Sequence, residues 1–224
     1  MMSKEVSLGK KLFLLVIMWV MIELSACGAT ELEERCFPML ALVDYDAEEK
    51  EFSFQAGFPR AGSSTGKEPT VSELQIDFSE AKTFKESKKG YEKHLNQVPD
   101  YNHMKVLVLD DDLLENENAY YEVLQTLAET EDFPRNTYVC VVDDVDDLIE
   151  IEENLPQDLG TYLEEYLNNH EKKKERMLTL GDLIDEMQNK EMTLYIPYHK
   201  PMERYVDWVG YYAIGEGTIF KSNE

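Results

Sequence analysis

Two short acidic runs hold the densest potential chemistry in this 224-residue chain: Leu109-Asp110-Asp111-Asp112 and Val141-Val142-Asp143-Asp144-Val145-Asp146-Asp147. Each ends an apolar stretch. Carboxylates gathered at a strand end can bind a divalent cation or supply an acid and a base for hydrolysis, and the carboxyl edge of a parallel sheet is where ligands collect. The same residues have a simpler use. Aspartate is a preferred helix cap and suits the positive end of a helix, and capping is the weightier reading of both runs.

Other motifs fall short of the chemistry they evoke. Gly62-Ser63-Ser64-Thr65-Gly66-Lys67-Glu68 has three residues between its glycines and Glu68 after the lysine. A phosphate-binding loop needs four residues there and then Ser or Thr, so this stretch reads as a surface loop. Asp44, Asp46 and Glu48 alternate like the start of a calcium loop, but Glu49 stands where glycine must turn the chain and Gln55 stands at the twelfth position. A hairpin turn accounts for them better. His94, His103, His170 and His199 have no metal-ligand spacing, and there is no Gly-x-Ser-x-Gly nucleophile elbow. No catalytic, cofactor-binding or metal-ligating residue is assigned, and no cofactor is expected. Cys140 sits inside the apolar run Thr137-Tyr138-Val139-Cys140-Val141-Val142, where a cysteine behaves as a small buried hydrophobe; a Cys36–Cys140 bridge is the lesser alternative.

The elements that would position these groups follow from the hydrophobic pattern. Residues 36–46 and 50–58 read as two strands around a hairpin loop, and 77–95 as a helix with a Ser or Asp start. Residues 103–111 and 135–144 are continuous apolar strands, each leading into a helix. Further helices are expected over 116–132, 145–153, 159–173 and 179–190, the last with Thr179 as cap and Asp182 in its first turn. Residues 191–198 and 205–222 are strand-like. Apolar strands without alternation belong in a sheet covered on both faces. The predicted fold is therefore mixed α/β (α+β): a mixed β-sheet with two adjacent buried parallel strands, flanked by helices and bordered by hairpins.

The amino terminus poses a separate question of chemistry. Lys4, Lys10 and Lys11 precede an uncharged run of eleven residues, Leu12 to Ile22, and then Leu24-Ser25-Ala26-Cys27. A spanning helix needs about 20 apolar residues. A basic start, a short apolar core and a small-residue exit mark a secretory signal instead, an uncleaved anchor helix being the alternative. Leu-Ser-Ala-Cys resembles the lipobox of bacterial lipoproteins. That resemblance implies a signal peptide over 1–26, diacylglyceryl modification of Cys27 and a tether over 27–35. The net charge is −24, with 43% hydrophobic residues. Such a chain can fold, but it is repelled by nucleic acid and by anionic lipid. Near a membrane it needs a tether, and two acyl chains provide a stable one.

Taken in order, several segments resemble the Ger(x)C family, the lipoprotein subunit of bacterial spore germinant receptors. They are Glu31–Asp46, His103–Glu117, Glu131–Asp144, Leu159–Lys173, Thr179–Met187 and Leu194–Tyr198. Arg135, Asn136 and Thr137 leading into an apolar strand carry the resemblance most strongly. It implies an N-terminal germination-protein domain over 36–205, with 206–224 as a strand segment that opens a second domain. It also implies a non-enzymatic subunit on the outer face of the spore inner membrane, assembled with membrane-embedded receptor subunits. A small-molecule nutrient would be met only through the complex. Cys27 is the one functional position it transfers; Arg135 and Asn136 transfer as a motif, with a turn-stabilising role as the default. The alternatives from other classes are a lipid-anchored solute-binding protein of a transporter, and an extracytoplasmic hydrolase using Asp110–Asp112 and Asp143–Asp147.

Overall fold

The expected hairpin joins β1 (Leu40–Asp46) to β2 (Glu51–Gly57) in a computed structural model that describes residues 34–59, 79–171, 178–189, 193–215 and 218–222. The Asp46 carboxylate closes the turn by accepting from the backbone N–H groups of Glu48 (2.7 Å) and Glu49 (2.8 Å), and Lys50 takes the left-handed conformation, with φ 56°. The chain then runs through β3 (Ser79–Ala81), α1 (Phe84–His94), β4 (Val106–Asp110), α2 (Asp111–Glu115), α3 (Glu117–Thr130) and β5 (Tyr138–Val142). It continues with α4 (Val145–Glu150), α5 (Leu159–Glu171), α6 (Leu180–Asn189), β6 (Leu194–Pro201), β7 (Val206–Gly215) and β8 (Thr218–Ser222).

These eight strands form one mixed sheet in the order β8-β7-β6-β5-β4-β1-β2-β3. The expected parallel pair is β4 and β5, with Val108 opposite Cys140. It is the middle of a longer parallel block, because β1 pairs parallel with β4 and β6 pairs parallel with β5. Antiparallel strands border the block on both sides: β2 and β3 on one, β7 and β8 on the other. Residues 206–215 and 218–222 thus extend this same sheet. Residues Cys36–Glu224 form one compact unit.

Both faces of the parallel block are covered, which explains its unbroken apolar runs. Ala41, Val43, Leu107, Leu109, Val139 and Val141 face a core shared with Phe84, Tyr91, Leu124 and Leu183 from α1, α3 and α6. Leu40, Leu42, Val106, Val108, Cys140 and Val142 face a second core with Leu148 of α4 and Leu159, Leu163 and Leu167 of α5.

Two local expectations need correction. Residues 77–95 are not one helix: Ser79–Ala81 pair with β2, with Phe54 opposite Ser79, and the helix starts only at Phe84. Thr83 is its cap, accepting from the Glu86 N–H at 3.3 Å. Glu80 and Ala81 are good helix formers, but pairing with the free edge of β2 overrides that preference. The acidic segment after β5 is also divided, α4 ending at Glu150 and a single 3₁₀ turn running from Ile151 to Asn154. The predicted cap of α6 forms as a reciprocal pair. Thr179 Oγ1 accepts from the Asp182 N–H, and the Asp182 carboxylate accepts from the Thr179 N–H.

Candidate functional site

The two acidic runs do meet, at the carboxyl edge of the parallel block. Asp110 is the last residue of β4 and is buried. Its Oδ1 accepts from the Asp112 N–H (3.0 Å) and caps α2, while its Oδ2 accepts from the Val145 N–H (3.2 Å) at the start of α4. One carboxylate therefore ties the first turns of two helices together. Asp144 caps α4 from its own run, accepting from the Asp147 N–H at 3.0 Å. Burial raises the pKa of Asp110 to about 8, with the nearby Asp44 adding to the effect. Asp44, at the corresponding end of β1, is pushed to about 6 by burial, opposed by the Tyr45 N–H and aided by Asp146, Asp112 and Asp46.

Asp111 has a different role, one that sequence reasoning missed. Its Oδ2 accepts from Lys221 Nζ (2.9 Å), Tyr212 Oη (3.3 Å) and Tyr198 Oη (3.4 Å). Lys221 also lies over the Tyr198 ring, 4.1 Å from its centre. This cluster clamps the β6–β7–β8 edge onto α2. Burial works against the lysine charge, but hydrogen bonds with Tyr198 and Asp111 hold its pKa above the usual lysine value. Asp111 and Lys221 are 110 residues apart, so no local pattern announces the pair. The alternation of Tyr198 and Tyr212 with apolar neighbours marked them only as strand residues.

Asp110, Asp111 and Asp112 bring carboxylate oxygens within 4.8 Å of one another. As a cation site the set fits poorly. Both oxygens of Asp110 already accept backbone N–H groups, and Asp111 carries a lysine ammonium. Asp143 is likewise engaged, 2.9 Å from Lys200 Nζ. Two of the described histidines are engaged by aromatic rings: His199 packs edge-on against Tyr166 at 5.4 Å, and His103 against Phe37 at 5.2 Å. Those rings lie on different elements, His199 standing opposite Val142 in the sheet.

The remaining predicted positions separate. Arg135 and Asn136 stand in the turn before β5. Arg135 does more than stabilise that turn: its Nη2 donates to the Gly181 carbonyl (3.0 Å) and to Asp185 Oδ1 (2.7 Å), and its own carbonyl accepts from the Gly181 N–H (2.8 Å). The motif holds the start of α6 against the sheet. Cys36 and Cys140 remain thiols; Cys36 Sγ points to the Gln97 carbonyl at 3.8 Å, and burial pushes the Cys140 thiol up to about 12. Cys27, the signal segment and the Gly62–Glu68 loop lie outside the described residues. Among the described residues, no helix is long and apolar enough to cross a membrane.

Residues 28–201 match the family model described as "Spore germination protein N-terminal domain". A solved structure, "Crystal Structure of the GerBC protein", is similar at 16% sequence identity and a TM-score of 0.38, covering 80% of this chain and 50% of that one. The chain thus spans half the length of that protein. No curated protein matches.

Proposed function

The chain belongs to the spore germination protein N-terminal domain family, and on that premise we propose that it is a lipid-anchored, non-enzymatic subunit of a nutrient-germinant receptor. It acts by assembling with membrane-embedded partner subunits on the extracytoplasmic face of the spore inner membrane. The observation that carries this reading is the family match over residues 28–201, which begins directly behind the acyl-acceptor motif at Cys27. The site geometry supports it. Of the acids that could have served catalysis, Asp110 and Asp144 accept backbone N–H groups, and Asp111 and Asp143 are paired with lysines. A two-lobed solute-binding protein would need a cleft between halves, whereas Cys36–Glu224 forms one compact unit around one large sheet.

The test is genetic and biochemical. Spores that lack the gene should lose the nutrient response of one receptor and regain it with the wild-type chain. Cys27→Ala should fail to restore it, although the protein folds. Recovery of partner subunits with the wild-type protein after detergent extraction is the expected second result. Full germination with Cys27→Ala would remove the anchor from the reading. Substrate turnover abolished by Asp112→Asn or Asp144→Asn would replace a subunit with a hydrolase.

A further inference from the structure

Four aromatic side chains stand on one face of the last three strands. Tyr195 of β6 and Phe220 of β8 both lie in register with Ala213, so they share a cross-strand row. On β7 the rings of Trp208 and Tyr211 meet at 5.2 Å, and Tyr195 touches Tyr211 at 6.1 Å. Tyr195 and Phe220 are each 55% exposed, and Trp208 is 38% exposed. On the opposite face the same strands bury Ile196, Tyr198, Tyr212 and Ile214.

The exposure follows from where α5 lies. Leu159, Leu163 and Leu167 cover the parallel block, and Tyr166 reaches His199 of β6 and the Trp208 backbone of β7. Tyr162 stacks on Tyr166 at 6.1 Å and accepts from the Val206 N–H at 3.2 Å. Past this wall, none of the described helices covers the strands. The result is a ledge, with the tyrosines of α5 as its wall and the aromatic row as its floor. Its surroundings are acidic. Glu165, Glu203 and Asp207 are exposed, against Arg204. Burial pushes Tyr166 up to about 12, with Tyr162 and Asp207 adding to the effect. Among the described residues of these strands, Lys200 is engaged with Asp143 and Lys221 with Asp111.

We propose that this ledge is a docking surface for a partner-protein segment that presents apolar side chains between lysines and arginines. Exposed tyrosine, tryptophan and phenylalanine are the residues that anchor protein interfaces. The acidic border selects the sign of the partner's charge. A second copy would bring the same border and another net charge of −24. Nucleic acid and anionic lipid carry the same sign as the ledge. The inference deepens the subunit reading by naming its contact surface, and it rests on that reading.

The test uses the full chain and does not involve germination. The probe is a synthetic peptide of alternating leucine and lysine, with alternating leucine and glutamate as its control. Binding is read from Trp208 emission, taken as the difference from Trp208→Phe. The expected result is a blue shift with the lysine peptide alone. The double variant Tyr195→Ser/Phe220→Ser should bind about tenfold more weakly with an unchanged melting temperature, and Asp207→Lys should weaken binding and flatten its salt dependence. Equal binding by the double variant would show plain charge adsorption and overturn the proposal. Self-association in sedimentation that the double variant loses would assign the ledge to a second copy. Binding to phosphatidylglycerol vesicles that the double variant loses would assign it to lipid. Absence of peptide binding would withdraw the ledge, while an unchanged nutrient response in spores that lack the gene would overturn the subunit reading separately.

Discussion

Asp110 shows why an acidic strand end need not be a catalytic one. Its two oxygens accept from Asp112 N–H and Val145 N–H, so the side chain sets the positions of α2 and α4. It does so buried and close to Asp44, and the pKa values rise to about 8 for Asp110 and about 6 for Asp44, from an ordinary 3.8. Each group binds its proton more tightly folded than unfolded. Their contribution to stability is therefore fully present below about pH 4 and is lost as pH rises through 6 and then 8. Asp44→Asn removes one of the two charges. It should raise the melting temperature at pH 8, leave it nearly unchanged at pH 4, and so flatten the profile; equal shifts at both pH values would count against repulsion between the two carboxyls. The neighbours Asp111 and Asp112 should behave differently despite being adjacent. Asp111→Ala strips the shared acceptor from Lys221, Tyr198 and Tyr212, and a cost of about 1–3 kcal/mol is expected in urea unfolding. Asp112→Asn should stay within about 0.5 kcal/mol.

At the scale of elements, the β4–β5 pair is the frame of the fold. Val108 and Val139 are fully buried, one in each core. Val108→Asp or Val139→Asp would place an unpaired charge in an apolar layer, a cost above about 4 kcal/mol. Because a domain is stable by only about 5–15 kcal/mol, either variant should unfold well below the wild-type temperature in circular dichroism. A native melting curve for both would refute the strand assignment. These two strands were legible because burial on both faces leaves an uninterrupted run of apolar residues, each ending in a capping aspartate. The first hairpin was legible too, from alternating Phe52 and Phe54 and the acidic loop between the two strands. Ser79–Ala81 was not, because its state depends on the edge of β2. The extent of the parallel block was also hidden: β6 joins β5 through only Val141–Tyr198 and Val142–His199, a pairing that no local pattern encodes. The sequence motif at Arg135 was visible while its purpose was not. Its contact is with Gly181, where an added Cβ would stand 2.9 Å from the Arg135 carbonyl. The candidate site divides in the same way. Its acids and caps could be read from strand ends, whereas the Asp111–Lys221 clamp and the aromatic ledge arise only when distant strands join one sheet.

For the whole molecule, charge and anchorage are one problem. A net charge of −24 repels the anionic surface of a bacterial membrane, where each nearby lysine or arginine would have contributed about 1 kcal/mol of attraction. The aromatic ledge cannot offset this at an anionic surface, because its own border is acidic. Residence at the membrane must then come from a covalent anchor or from partners, and the two can be separated. A single acyl chain holds a protein marginally, whereas two chains hold it stably; the diacylglyceryl group expected on Cys27 supplies two. The mature wild-type chain should therefore carry a lipidated cysteine at its amino terminus in mass spectrometry and float with phosphatidylglycerol vesicles. The soluble chain with Cys27→Ala, lacking the signal segment, should stay in the aqueous fraction at every salt concentration while melting at the wild-type temperature. Flotation of that variant at low salt would mean that the fold itself binds anionic lipid, and the charge argument would fail. Flotation only when partner subunits are reconstituted in the vesicles would instead identify assembly as a second, independent source of membrane residence, as the proposed subunit role requires.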